Sequence, residues 1–93
     1  MGIQNNYDEK GGKFFIEENG EIIAEMTYVF AGEDKFIIDH TEVFPAGEGK
    51  GLGKKLVSAA VDFARDQKMK IMPLCPFAKS VIEKTVAYHD VLF

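Results

Sequence analysis

Apolar and polar positions change their period along this chain, and the changes mark its elements. "KFFIEENGEIIAEMTYVF", residues 13–30, carries apolar residues on both sides of Asn19-Gly20. Asn-Gly supplies the two residues with positive φ that a two-residue type I′ turn requires, so residues 14–17 and 22–30 are expected to pair as a β-hairpin. In the second arm Ile22, Ala24, Met26, Tyr28 and Phe30 share one face, with Glu25 and Thr27 on the other. After the turn "AGED", the segment "KFIIDHTEVF" predicts a third strand. It places Phe36, Ile38, His40 and Glu42 on one side and Ile37, Asp39, Thr41 and Val43 on the other. Pro45 ends it, having no N–H to give a ladder.

From residue 51 to about residue 68 the period becomes helical. Leu52, Leu56, Ala60 and Phe63 recur at helical spacing, flanked by Val57, Val61 and Ala64, while Lys54, Lys55, Ser58, Asp62 and Arg65 take the outer face. "KIMPL", residues 70–74, predicts a short buried strand. With a helix before it, this strand returns parallel to the third by a right-handed crossover. "FAKSVIEKTVAYH", residues 77–89, predicts a second amphipathic helix with Phe77, Val81, Ile82, Thr85 and Val86 inward. The order is β-β-β-α-β-α, an α+β fold on a mixed, mostly antiparallel sheet. Residues 1–12 lack any such pattern and predict a polar, partly mobile lead-in. No repeat or linker divides the chain, so its 93 residues are expected to form one domain, 1–93, around one core.

Composition narrows the function. With 46% hydrophobic and 28% charged residues the chain has the make-up of an ordinary globular domain. It shows neither a signal-peptide pattern nor a stretch of membrane-spanning length, and Asn6 stands where an N-myristoylation signal wants Ser or Thr. The expectation is a cytoplasmic protein with no membrane partner. A net charge of −4 argues against the broad basic surface that nucleic-acid binding needs, and is compatible with a cationic partner such as an amine. Cys75 is the single cysteine, so no internal disulfide forms. With only His40 and His89 beside it, no metal site is expected.

"FPAGEGKGLGKKL", residues 44–56, concentrates glycine between the third strand and the first helix. Ordered glycine costs conformational entropy, so a cluster needs a reason. Two are open: the glycines cap strand and helix, or they cradle an anion. The first turn of a helix leaves N–H donors unpaired and carries partial positive charge, which favours phosphate. Gly49, Gly51 and Gly53 would let the backbone curl around a phosphate or pyrophosphate, and Lys50, Lys54 and Lys55 add charge. A P-loop is excluded by spacing, since Glu48 stands at its first glycine and Lys55 at its Ser/Thr. The dinucleotide fingerprint fails at Lys54, where a third small residue is needed.

This stretch resembles the acetyl-CoA signature of the GNAT superfamily of N-acetyltransferases: Gln or Arg, two residues, Gly, one residue, then Gly or Ala. Gly51 and Gly53 match its two small positions, and Glu48 departs from it by standing at the Arg or Gln. "DHTEVFPAGEGKGLGKKLV" followed by "CPF" resembles the short, single-domain NATD-type branch, and the likeness covers about residues 14–93. It implies the acyl-CoA N-acyltransferase fold, in which acetyl-CoA lies in a cleft where two parallel strands splay apart. The pantetheine would run along Glu42, Val43 and Phe44, and the pyrophosphate would sit on Gly49, Lys50, Gly51, Leu52, Gly53 and Lys54. Pro76, Phe77 and Lys79 would border the cofactor at the start of the second helix, with Lys79 in reach of a phosphate. The Glu48 side chain is then expected to point to solvent. The implied function is an acetyl-CoA-dependent N-acetyltransferase acting on a small-molecule or protein amine, as a monomer. The alternative is a non-catalytic CoA-binding or regulatory module, since a chain this short lacks the segments that build substrate pockets in larger members.

Acetyl transfer from a thioester to an amine needs a neutral amine, a stabilised oxyanion and a departing thiolate. A lysine-like amine, with a pKa of about 10.4, is protonated at neutral pH and calls for a base. Cys75, just past the last predicted strand, can accept the acetyl group as a nucleophile, or it is a buried structural cysteine and transfer is direct. His40 is the base or the activator of the thiol, with Glu42 orienting it; otherwise it is a hydrogen-bonded sheet histidine. His89 is expected at the end of the last helix, and Tyr88 in packing.

Overall fold

Asn19 and Gly20 both adopt positive φ, 53° and 81°, and close the expected two-residue turn between Glu18 and Glu21. The structure, a computed structural model, describes residues 2–93. Around this turn β2 (Gly11–Glu18) and β3 (Glu21–Phe30) pair antiparallel, and β4 (Lys35–Val43) continues the sheet. The crossover helix α1 (Leu52–Gln67) leads to β5 (Lys70–Pro73), which pairs parallel with β4. Then follow α2 (Pro76–Lys84) and a 3-10 helix, Val86–Val91.

One strand more than expected precedes the hairpin. The polar lead-in contains β1 (Ile3–Tyr7), which pairs antiparallel with β2, so the sheet runs β1-β2-β3-β4-β5. Its polarity hid it, and its order has a physical source in the core. Tyr28 is 1% exposed, and a buried hydroxyl needs a partner; it donates to Asn5 Oδ1 at 2.7 Å. Burial pushes the Tyr28 pKa up to about 12, against the opposing pull of that hydrogen bond. Tyr7 adds edge contacts to Phe30 and Phe63, with ring centroids 6.0 and 5.3 Å apart. Asp8 Oδ1 accepts the N–H groups of Lys10 and Gly11, which turns the chain into β2. Met1, at the head of the expected lead-in, lies outside the described residues.

Two bulges set which residues face the helices. Ile16 pairs with Ala24 but Glu17 pairs with Ile22, leaving Ile23 as an extra residue in β3. Tyr28 pairs with Ile38 but Thr27 pairs with His40, leaving Asp39 extra in β4. An extra residue shifts the alternation by one and turns later side chains to the opposite face. Phe36 and Ile38, fully buried, face α1 and α2 together with Ala24, Met26 and Tyr28. Burying a side chain of this kind contributes about 1.5–3 kcal/mol. Beyond the bulge Thr41 and Val43 take over that face, opposite Met26 and Ala24. His40 and Glu42 therefore do not share the face of Phe36 and Ile38; they lie on the open side of the sheet.

The second helix also ends earlier than its periodicity suggests. Thr85 leaves helical geometry (φ −111°, ψ 94°) while its hydroxyl donates to the Val81 carbonyl at 2.7 Å. The chain then turns, and Val86, expected inward, is 79% exposed. Arg65 of α1 fixes the 3-10 helix through two bonds to the Asp90 carboxylate, 3.0 and 2.9 Å, and one to the Ala87 carbonyl, 2.6 Å. His89 lies 3.0 Å from the Glu83 carbonyl, at the end of α2. Among the described residues no helix is long and apolar enough to cross a membrane, and no cluster of His, Cys, Asp or Glu has the make-up of a metal site.

Candidate active site

β4 and β5 pair only from Lys35–Lys70 to Ile38–Pro73. Past that point the N–H groups of Leu74 and Cys75 both reach the single carbonyl of Ile38, each at 3.0 Å. Residues 39–43 continue β4 with no β5 partner. The two parallel strands thus diverge, and the Asp39 bulge sits where they part.

Cys75 lies at the fork. Its side chain is buried and its sulfur is 3.4 Å from the Thr41 hydroxyl across the gap. Cys75 is also the residue ahead of α2, with Pro76 in the first turn where its missing N–H costs nothing. Burial pushes the thiol pKa up. The Thr41 hydroxyl and the backbone N–H groups of Ala78, Phe77 and Thr41 outweigh it, and the thiol sits below its ordinary value.

His40 is placed elsewhere. It pairs with Thr27 on the open face and its Nε2 lies 3.1 Å from Glu42 Oε1, with both side chains about half exposed. The structure thus joins His40 to Glu42, as expected, and joins Cys75 to Thr41 rather than to His40. Around the histidine the open face is polar: Thr27 donates to Asp39 at 2.6 Å, and Lys13 lies 3.5 Å from Glu25.

The glycine loop joins the end of β4 to the start of α1. Its four glycines divide into two kinds. Gly49 and Gly51 have φ of 79° and 68°, and an added Cβ at either would meet nothing within 4 Å. Gly47 and Gly53 are needed for close packing: a Cβ on Gly47 would lie 2.6 Å from the Ile23 carbonyl, and one on Gly53 would lie 2.7 Å from the Phe77 ring. Gly53 is therefore small at the contact with α2, and it also lines the cleft. Gly51 is the residue ahead of α1, and no side chain caps this end. Among the described residues the N–H groups of residues 49–54 carry no hydrogen bond; the first donor of the turn is Lys55, to the Gly51 carbonyl at 3.3 Å. They open onto a cleft of about 360 Å³ walled by Val43, the loop, Lys54 and Phe77.

Beyond Phe77 and Lys54 a second cavity of about 380 Å³ runs between the helices, lined by Ser80, Val81, Lys84, Thr85 and Tyr88. Of the other expected site residues, Leu52 contributes only its backbone, since its side chain is 1% exposed. Phe44 is half-buried and its N–H is taken by the Ile23 carbonyl at 2.9 Å. Lys50 turns toward the β2–β3 hairpin, 3.5 Å from Glu18, and Glu48 is exposed at the rim of the cleft. Lys79 is exposed on α2 and lines neither cavity, whereas Lys54 lines both and Lys84 the second. Thr41, Ser80 and Lys84 are absent from the expected set. Thr41 became visible only with the bulge; Ser80 lies about one turn and Lys84 about two turns on from Phe77 along α2.

The family described as GCN5-related N-acetyl-transferase matches residues 13–91. Protein NATD1 of Gallus gallus is 30% identical over 83 residues, covering 88% of this chain and 76% of its own. The solution structure of a GCN5-like protein from Staphylococcus aureus is 38% identical, covers 97% of this chain and 87% of its own, and superposes with a TM-score of 0.75. A ribosomal-protein-alanine N-acetyltransferase from Brucella melitensis is 17% identical and covers 83% of this chain and 62% of its own; its TM-score of 0.66 shows the shared fold.

Proposed function

This chain belongs to the GCN5-related N-acetyl-transferase family, and on that premise we propose that it binds acetyl-CoA in the β4–β5 cleft and transfers the acetyl group to an amine. One observation carries the reading: residues 49–54, whose N–H groups carry no hydrogen bond among the described residues, border a cleft walled by Val43 and Phe77, each two residues along the chain from the Thr41–Cys75 contact at the fork. Unpaired donors at a helix N-terminus favour the pyrophosphate, and the space beside Gly49 and Gly51 admits it. The edge of residues 39–43 that β5 leaves unpaired offers hydrogen bonds to an extended amide chain. The cavity bordered by Lys54 and Lys84 suits the phosphorylated nucleotide end.

Bound acetyl-CoA supplies an activated acetyl group; binding, orientation and proton handling fall to the chain. His40, beside Glu42 on the open face, is poised to take the proton of an amine arriving from that side. The carboxylates of Glu25, Asp39 and Glu42 around it favour a cationic acceptor over an anionic one. Cys75 borders the acetyl position and serves as nucleophile if transfer proceeds through the enzyme.

Incubation with acetyl-CoA and a panel of polyamines, lysine peptides and free N-terminal peptides, read by release of free CoA thiol, tests the reading. Turnover with a member of the panel is expected. Tight CoA binding without turnover on any amine favours a regulatory module, and absence of CoA binding overturns the proposal. With acetyl-CoA alone, an added acetyl mass on Cys75 that hydroxylamine removes marks the acyl-enzyme route. Full activity of Cys75→Ser marks direct transfer.

A further inference from the structure

Resting on the reading of Cys75 as part of the reaction cleft, we propose that Thr41 is a positioning residue whose hydroxyl orients the Cys75 sulfur and hydrogen-bonds its ionised form. The bulge at Asp39 makes this assignment possible. Without the extra residue, His40 would continue the face of Phe36 and Ile38 and Thr41 would point to the open side. With it, Thr41 faces the helices opposite Met26, and its Oγ1 meets Sγ at 3.4 Å across the fork. Past the carbonyl of Ile38, this contact joins the end of β4 to the segment after β5.

The hydroxyl has no other hydrogen bond among the described residues, so it is free to serve the sulfur in either state. In the thiol state S–H donates to Oγ1. When the proton leaves to solvent, the hydroxyl rotates and donates its O–H to the thiolate, alongside the N–H groups of Phe77 and Ala78 in the first turn of α2. The titratable groups at the ends of the elements that meet here are Asp39, His40 and Glu42 of β4, Lys54 and Lys55 of α1, and Lys79, Glu83 and Lys84 of α2, all exposed; Lys35 of β4 and Asp62, Arg65 and Asp66 of α1 lie further along those elements. None is among the leading influences on the sulfur, which are burial and hydrogen bonds. A neutral hydroxyl and backbone dipoles therefore set the state of this thiol, and His40 does not.

The pH dependence of Cys75 alkylation by iodoacetamide, followed by intact mass on the full chain without acetyl-CoA, tests the proposal. The wild-type midpoint is expected below the ordinary thiol range. Thr41→Val should raise it by about one pH unit and slow alkylation at pH 7 about tenfold, the loss of one hydrogen bond to a charged group. Thr41→Ser, which keeps the hydroxyl, should restore both. Thr41→Ala serves as the second hydroxyl-free variant should valine prevent folding, with circular dichroism as the check. A wild-type midpoint at or above the ordinary value overturns the proposal without recourse to any variant. So does an unchanged midpoint in either folded variant lacking the hydroxyl. Because the readout needs no acetyl donor, a Thr41-dependent profile in a protein without transferase activity would sink the proposed function and leave this assignment standing.

Discussion

Gly51 separates backbone strain from ligand approach within one residue. Its φ of 68° is a conformation that costs a residue bearing a Cβ roughly 1–2 kcal/mol, yet an added Cβ there meets no protein atom within 4 Å. Gly51→Ala should therefore destabilise the free protein by about 1 kcal/mol, a fall in Tm of roughly 4–8 °C for a domain of this size. Gly51→Asn should cost only a few tenths, since asparagine tolerates left-handed backbone and is a good residue ahead of a helix. The asparagine variant still places a side chain in the space facing the free N–H groups. Loss of one hydrogen bond to a charged phosphate, about 1.5–3 kcal/mol, weakens CoA binding roughly 10- to 100-fold. Urea unfolding of the free protein and calorimetric titration with CoA measure the two effects separately. A Gly51→Asn protein that is stable and binds CoA as the wild type does would refute phosphate approach at this position.

Glu48 stands at the rim of the same cleft, and Glu48→Arg should tighten CoA binding, more at 20 mM than at 300 mM salt; titration at both concentrations checks it. At the other end of the molecule, Asn5→Leu should leave the Tyr28 hydroxyl buried and unpaired and cost about 1–3 kcal/mol in urea unfolding. Tyr28 also predicts an alkaline limit. Its folded pKa of about 12 lies above the ordinary 10.0, so its share of stability is complete below pH 10 and is lost as pH rises toward 12. That share is on the order of 2 kcal/mol, and Tyr28→Phe should flatten the stability profile over this window.

Most of the sheet and both helices were legible because their chemistry is local. Asn19-Gly20 specifies its own turn, and the spacing from Leu52 to Phe63 specifies a helix face. What was not legible depended on partners distant in sequence. β1 is mostly polar between Ile3 and Tyr7, and the buried Tyr28 hydroxyl, 23 residues away, explains why Asn5 is held. The Asp39 bulge falls in a polar run, Asp39 to Glu42, where no apolar alternation fixes the face, so strict alternation puts His40 on the wrong side and passes over Thr41. Gly53 matched the motif for phosphate approach, and the motif gave no sign that the Phe77 ring on α2 also requires a small residue there. Past the early end of α2 at Thr85, Arg65 anchors the chain through Asp90 and Ala87, contacts that no helical period encodes.

Amide chemical-shift mapping during titration with CoA tests the central claim most directly. The N–H groups of residues 49–54 make no hydrogen bond among the described residues, and all of these residues but Lys50 line the cleft. Their signals should shift most, together with those of Thr41, Val43 and Phe77 along its walls, while the Asn19-Gly20 turn stays in place. Saturable shifts confined to the hairpin turn, with the glycine loop unmoved, would contradict the account.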